Sequence, residues 1–168
     1  MEERFVFRDI RPEEAVIAAR VEARCFPPNE ACTEGIMKAR AAVAADTFLT
    51  VWDRETGKMA GFINGLATDE TTLRDEFFKD AGLHDPDGKH VMIMGVAVLP
   101  EYRGQGLAKA LMAEYLGREA RRGRTMVVLT CLEEKVPMYE KMGFEDRGSS
   151  DSAWGGEQWH EMHAVLDK

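Results

Sequence analysis

The sequence predicts a mixed α/β fold with helices on both sides of a central sheet. Its apolar pattern switches repeatedly between the period of a strand and that of a helix. One run, "HVMIMGVAVL" (90–99), is apolar almost throughout, as a strand buried on both faces is. Directly after it, "PEYRGQGLAKALM" (100–112) passes through a glycine turn into helical spacing.

The elements follow in order. "RFVFRDI" alternates and reads as a first strand. Pro12 opens a helix at a favoured first-turn position, running to about Cys25. "CFPPNEAC" is a loop with a double proline, after which Thr33 caps a second helix to about Ala45, with Glu34 in its first turn. "TFLTVWD" and "KMAGFINGLAT", joined by a short turn at Glu55 to Gly57, read as a hairpin. A polar stretch holds a short helix near Leu73 to Phe78 and the loop "HDPDGK". After the glycine turn, Leu107, Ala110, Leu111, Tyr115 and Leu116 keep helical spacing until Gly123. "TMVVLTC" reads as a buried strand, "KVPMYEKMG" as a short helix closed by Gly143, and "FEDRG" and "QWHEMHAVL" as two last strands. With no repeat, low-complexity tract or long linker, residues 1–168 are expected to form one domain.

Composition narrows the function. Apolar residues make up 45% and charged residues 31%, ordinary for a soluble globular protein, and no apolar stretch reaches membrane-spanning length. "MEERFVFRDI" is charged from its second residue, unlike a secretory signal, so a cytoplasmic protein is expected. Cys25, Cys32 and Cys131 form no CxxC pair, so they read as reduced thiols, with no disulfide framework and no metal site. A net charge of −8 argues against nucleic acid and suits a cationic small molecule. Between Arg103 and Arg124, six basic residues against two acidic ones leave a local +4. That excess fits either an anionic ligand or a solvated helix face with pairs such as Glu114 and Arg118.

The glycine turn is a candidate anion seat. It lacks the last small residue of a dinucleotide fingerprint, Lys109 standing there, and it lacks the Gly-Lys-Ser/Thr of a P-loop. What remains is Arg103-x-x-Gly106-x-Ala108 between a strand and a helix start. Free first-turn amides carry the positive end of the helix dipole. Small residues at Gly104, Gly106 and Ala108 admit a phosphate to the backbone, and Arg103 adds a fixed charge.

This pattern resembles the acyl-coenzyme-A signature of the GCN5-related N-acetyltransferases (GNAT), R/Q-x-x-G-x-G/A. Within that superfamily the chain is similar to the serotonin, or arylalkylamine, N-acetyltransferases, through "KVPMYEKMGFE", "LHDPDGKH" and the terminal "EMHAVL". The likeness runs from about Phe5 to Leu166. It implies the acyl-CoA N-acyltransferase fold, a mixed sheet of about seven strands, and direct transfer of acetyl from acetyl-CoA to an amine. The backbone of Val96, Ala97 and Val98 would hold the pantetheine and thioester. Arg103, Gly104, Gln105, Gly106, Leu107, Ala108 and Lys109 would form the pyrophosphate cradle.

The resemblance makes Tyr139 the acid that protonates the departing thiolate. By helical spacing alone Tyr139 would be a core aromatic beside Met138 and Met142. The two strand histidines of the vertebrate enzymes fall on Met92 and Met94, neither of which can accept a proton, so the general base is open. Glu30 is the candidate, an exposed loop carboxylate being the alternative. Phe26, Pro27 and Pro28 resemble the substrate loop, or else form a simple rigid turn. His84, His90, His160 and His163 read as satisfied or solvent-facing, the last two on opposite faces of a strand, and Cys131 reads as packing.

The expected function is therefore N-acetylation of a small primary amine, aromatic or hydrophobic. The alternatives are a protein or peptide N-acetyltransferase and a non-catalytic CoA-binding module. The oligomeric state is open.

Overall fold

The computed structural model describes residues 3–150 and 156–166. In chain order it contains β1 (Phe5–Asp9), α1 (Ala15–Cys25), α2 (Glu34–Val43), β2 (Phe48–Asp53), β3 (Met59–Thr68), α3 (Glu76–Lys79), β4 (His90–Val98), α4 (Leu107–Arg121), β5 (Met126–Cys131), α5 (Val136–Lys141), β6 (Glu145–Ser149) and β7 (His160–Val165). The strands form one seven-stranded sheet in the order β1-β2-β3-β4-β5-β7-β6. Every neighbouring pair is antiparallel except β4 and β5.

Local chemistry accounts for most boundaries. Thr33 caps α2 as expected, its hydroxyl accepting from the Ile36 amide at 3.2 Å, a contact worth about 1 kcal/mol. Pro12 to Glu14 form a 3-10 turn ahead of α1, because the Glu14 carboxylate accepts from the Arg11 amide at 2.9 Å and grips the Arg8 guanidinium at 2.9 and 2.7 Å. The helix expected from Leu73 begins only at Glu76. The Leu73 amide donates to Glu161 on β7 at 3.1 Å, which holds Leu73 outside the helix.

The long apolar run is the central fourth strand, and β3 beside it is buried along its whole length. Asn64 and Gly65 show how the helices divide over the sheet. Asn64 Nδ2 lies 3.8 Å from Met37 on α2, while a Cβ on Gly65 would sit 2.7 Å from the Tyr115 hydroxyl on α4. Successive residues of a strand point to opposite faces, so α2 covers one face and α4 the other. A cluster around Met92, Met94, Phe77, Phe78 and Val128 fills the α2–α3 side beyond α1. Among the described residues no helix is long and apolar enough to cross a membrane.

Candidate active site

Two irregularities open the middle of the sheet. Asn64 pairs with Gly95, but Gly65 pairs with Ile93, so Met94 is an extra residue on β4; a bulge of this kind bends its strand. On the other edge β4 pairs with β5 only from His90 to Met92, opposite Met126 to Val128. Beyond Met92 the two strands part, and a cavity of about 540 Å³ occupies the gap.

At one end the cavity meets the glycine turn. Gly104 and Gly106 both take φ +79°, a left-handed conformation natural to glycine, and Gly106 starts α4 with no side chain capping it. The first-turn amides of α4 belong to Leu107, Ala108 and Lys109, which line the cavity together with Arg103, Gly104 and Gly106. Arg103 Nε donates to the Val98 carbonyl at 3.0 Å. Gln105 belongs to the turn by its backbone, but its side chain is exposed outside the cavity.

Strand alternation sorts Val96, Ala97 and Val98. The Leu99 amide donates to Ala60 on β3 at 2.9 Å, so the backbone groups of Ala97, two residues earlier, point the same way. Those of Val96 and Val98 point to the parted edge, where the Val98 carbonyl also accepts from Cys25 Sγ at 3.4 Å. The expectation that Ala97 lines the cofactor path is thus corrected: its side chain is in the core and its backbone faces β3.

Tyr139 on α5 lines the cavity beside Cys131, 8% exposed, with its ring edge-on to Phe144 at 5.9 Å. It is packed, as helical spacing alone predicts, and it also lines the cavity. Burial, followed by repulsion from Cys131, holds its hydroxyl well above the usual phenol range.

The rest of the cavity lining has a different chemistry. Phe26, Phe78, Met94 and Trp159 give it apolar walls. Pro27 and Pro28 are exposed and outside those walls, acting as the turn that carries Phe26 and Glu30. Glu30 lines the mouth, its carboxyl raised by burial and then by the charges of Glu157 and Glu134. One further carboxylate lines the cavity that motif reasoning missed: Glu22 on α1, 4% exposed. Its signal was a charged residue on the same helical stripe as Ala15, Ala18 and Val21.

The local excess of positive charge does not gather at the cavity. Arg118 binds Glu114 at 2.8 Å and Arg124 binds Glu119 at 3.1 Å. Arg122 pairs with Asp9 and Glu119, and Arg121 lies 3.8 Å from Glu114. Of the six, Arg103 and Lys109 line the cavity. The histidines are satisfied as expected: His84 accepts from the Ala67 amide and meets Asp46, His90 meets the Glu70 carbonyl, His160 meets Asp146 and His163 meets Glu161.

A family model for the acetyltransferase (GNAT) family matches residues 16–144. Serotonin N-acetyltransferase of Mesocricetus auratus is 26% identical over 162 residues, 95% of this chain and 77% of that one. Its counterpart in Macaca mulatta is 27% identical over 162 residues, again 95% of this chain and 78% of the other. Among solved structures, the GphF GNAT-like decarboxylase in complex with isobutyryl-CoA superposes with a TM-score of 0.82 at 17% identity, covering 96% of this chain and all of that one. That likeness is one of fold.

Proposed function

Because the chain belongs to the acetyltransferase (GNAT) family, we propose that it transfers acetyl from acetyl-CoA to the primary amine of a small hydrophobic or aromatic amine. The observation that carries this reading is the cavity where β4 leaves β5, whose lining brings together an anion seat, a buried phenol, apolar walls and carboxylates.

The residues present fit acetyl-CoA. The uncapped start of α4 and the guanidinium of Arg103 suit a pyrophosphate. The parted edge at Val96 and Val98 offers backbone groups to an amide-bearing chain, as a neighbouring strand would. When bound, acetyl-CoA supplies a thioester with a thiolate leaving group. Tyr139, kept protonated by its burial, gives the hydroxyl proton to that sulfur as the C–S bond breaks. Phe26, Phe78, Met94 and Trp159 hold the organic part of the amine, and the acidic mouth at Glu30, Glu134 and Glu157 draws in its ammonium group. The similarity to serotonin N-acetyltransferases supports a small amine. Retention of Tyr139 within the cavity favours an enzyme over a CoA-binding module.

Free-thiol release from acetyl-CoA across aromatic amines, polyamines, amino acids and peptides tests the reading. Turnover is expected with hydrophobic primary amines, and selective use of peptides would overturn it.

A further inference from the structure

We infer that Glu22, rather than Glu30, takes the proton from the incoming ammonium; this rests on the amine-acetylating reading above. Glu22 sits on α1 with Oε2 fixed by the Cys32 amide at 2.6 Å. Its Oε1 points at the bulge: a Cβ on Gly95 would lie only 3.2 Å from that oxygen. A side chain at residue 95 would press on the carboxylate, so glycine there leaves room for it. Gly95 is next to Met94, where β4 bends away from β5, and one residue before Val96, whose backbone faces the parted edge. Oε1 therefore stands beside the place where the thioester carbonyl and the amine must meet.

Glu30 is placed differently. It lies in the loop at the mouth, partly exposed, among the charges of Glu134 and Glu157. Its position suits attraction of a cation, whereas Glu22 is held by a backbone bond at depth. Glu22 is also set among opposing groups that a buried carboxylate requires. Arg40 of α2, 2% exposed, acts on it electrostatically, and the Cys32 and Cys25 thiols are the titratable neighbours from the loop and from α1. Arg40 also donates to the Phe78 carbonyl at 3.0 Å, so one guanidinium serves the carboxylate and the apolar wall together.

The step balances as follows. One N–H proton of the ammonium moves to Glu22 Oε1, and the freed lone pair forms the N–C bond at the carbonyl carbon. The C–S bond breaks, the sulfur takes the Tyr139 proton, and the second amine proton restores the tyrosine. Glu22 returns its proton to water, leaving an acetamide, a free thiol and one released proton.

Glu22→Gln keeps an oxygen for the Cys32 amide and removes the base. With phenethylamine as acceptor, kcat/KM near pH 7 is expected to fall about 10² to 10³-fold, the residual rate rising with pH as free amine accumulates. The affinity of the protein for acetyl-CoA is expected to stay as it is, while calorimetry without acetyl-CoA shows phenethylammonium bound about tenfold more weakly. Glu30→Gln is expected to lose roughly fivefold and to retain the wild-type pH profile. A wild-type pH profile and ammonium affinity in Glu22→Gln would overturn the proposal, as would a larger loss in Glu30→Gln. If the wild type acetylates no amine, the reaction assigned above falls, and the calorimetric difference alone still decides whether Glu22 holds an ammonium. Should Glu22→Gln not fold, as judged by its thermal transition, Glu22→Asp replaces it: a carboxylate set back by one methylene should lower kcat about tenfold and keep the pH profile. An unchanged kcat there would overturn the assignment.

Discussion

Arg103 Nε donates to the Val98 carbonyl at 3.0 Å, so the arginine of the glycine turn is clamped to the end of the strand that parts from its neighbour. The bond holds the guanidinium at the end of β4, where it also lies beside the Cys25 thiol. A lysine carries the charge but has no such donor fork.

Arg103→Ala should therefore weaken acetyl-CoA binding roughly 10- to 100-fold, the range of one lost charge-assisted hydrogen bond. Arg103→Lys should recover little of it. Titration calorimetry reads both, and an unchanged Kd in the alanine variant would refute the cradle.

Tyr139→Phe keeps the ring against Phe144 and removes the hydroxyl. Turnover should fall about 10² to 10⁴-fold while acetyl-CoA still binds. Since burial raises the phenol far above its ordinary range, deprotonation of Tyr139 should produce no alkaline loss of activity below pH 10. A variant as fast as the wild type would exclude the acid role.

Burial pushes the Cys32 and Cys131 thiols up to about 12, and raises Cys25 as well. At pH 8, roughly one thiol in ten thousand at Cys32 or Cys131 is ionised. Iodoacetamide should label the folded protein far more slowly than the urea-unfolded chain. Labelling of Cys131 at the rate of a free thiol would contradict this, and would reopen a chemical role for it.

Asp53 is fully buried and bound by Arg4 at 3.1 Å, by the Tyr102 hydroxyl at 2.7 Å and by the Glu55 amide at 2.9 Å. The Arg4 bond foremost, then Tyr102, holds its carboxyl far below the usual range against the cost of burial. A depressed folded pKa means that the stabilisation is complete above the unfolded value near pH 4 and is lost as pH falls below it. The urea midpoint should drop between pH 5 and pH 2.5, and drop less in Asp53→Asn. Equal drops would assign the acid sensitivity elsewhere.

The geometry of the glycine turn was legible in the sequence because it is local. Arg103, Gly104, Gly106 and Ala108 lie within six residues, and the conformations they need are backbone properties of glycine and of a helix start. Tyr139 was singled out through its neighbours "VPMYEKMGF", and it lines the cavity. Ala97 was misread because register, set by the pairing of β3 with β4, decides which carbonyls face an open edge. The basic excess after Arg103 was ambiguous because its partners Asp9 and Asp46 are far away in the chain.

The proposed acceptor wall depended on assembly. Phe26, Phe78, Met94 and Trp159 come from four separate segments, and no spacing relates them. Glu22 carried one weak sign, a charge on an apolar helical stripe, which fits a buried ion pair as well as it fits a proton acceptor. The sequence by itself determined the α/β alternation, the family and the glycine turn that starts α4, since periodicity, glycine conformation and helix ends act over a few residues. Only the tertiary structure decided where β4 leaves β5 and which carboxylate stands beside that opening, because a bulge and its neighbours are set by pairing and packing between distant parts of the chain.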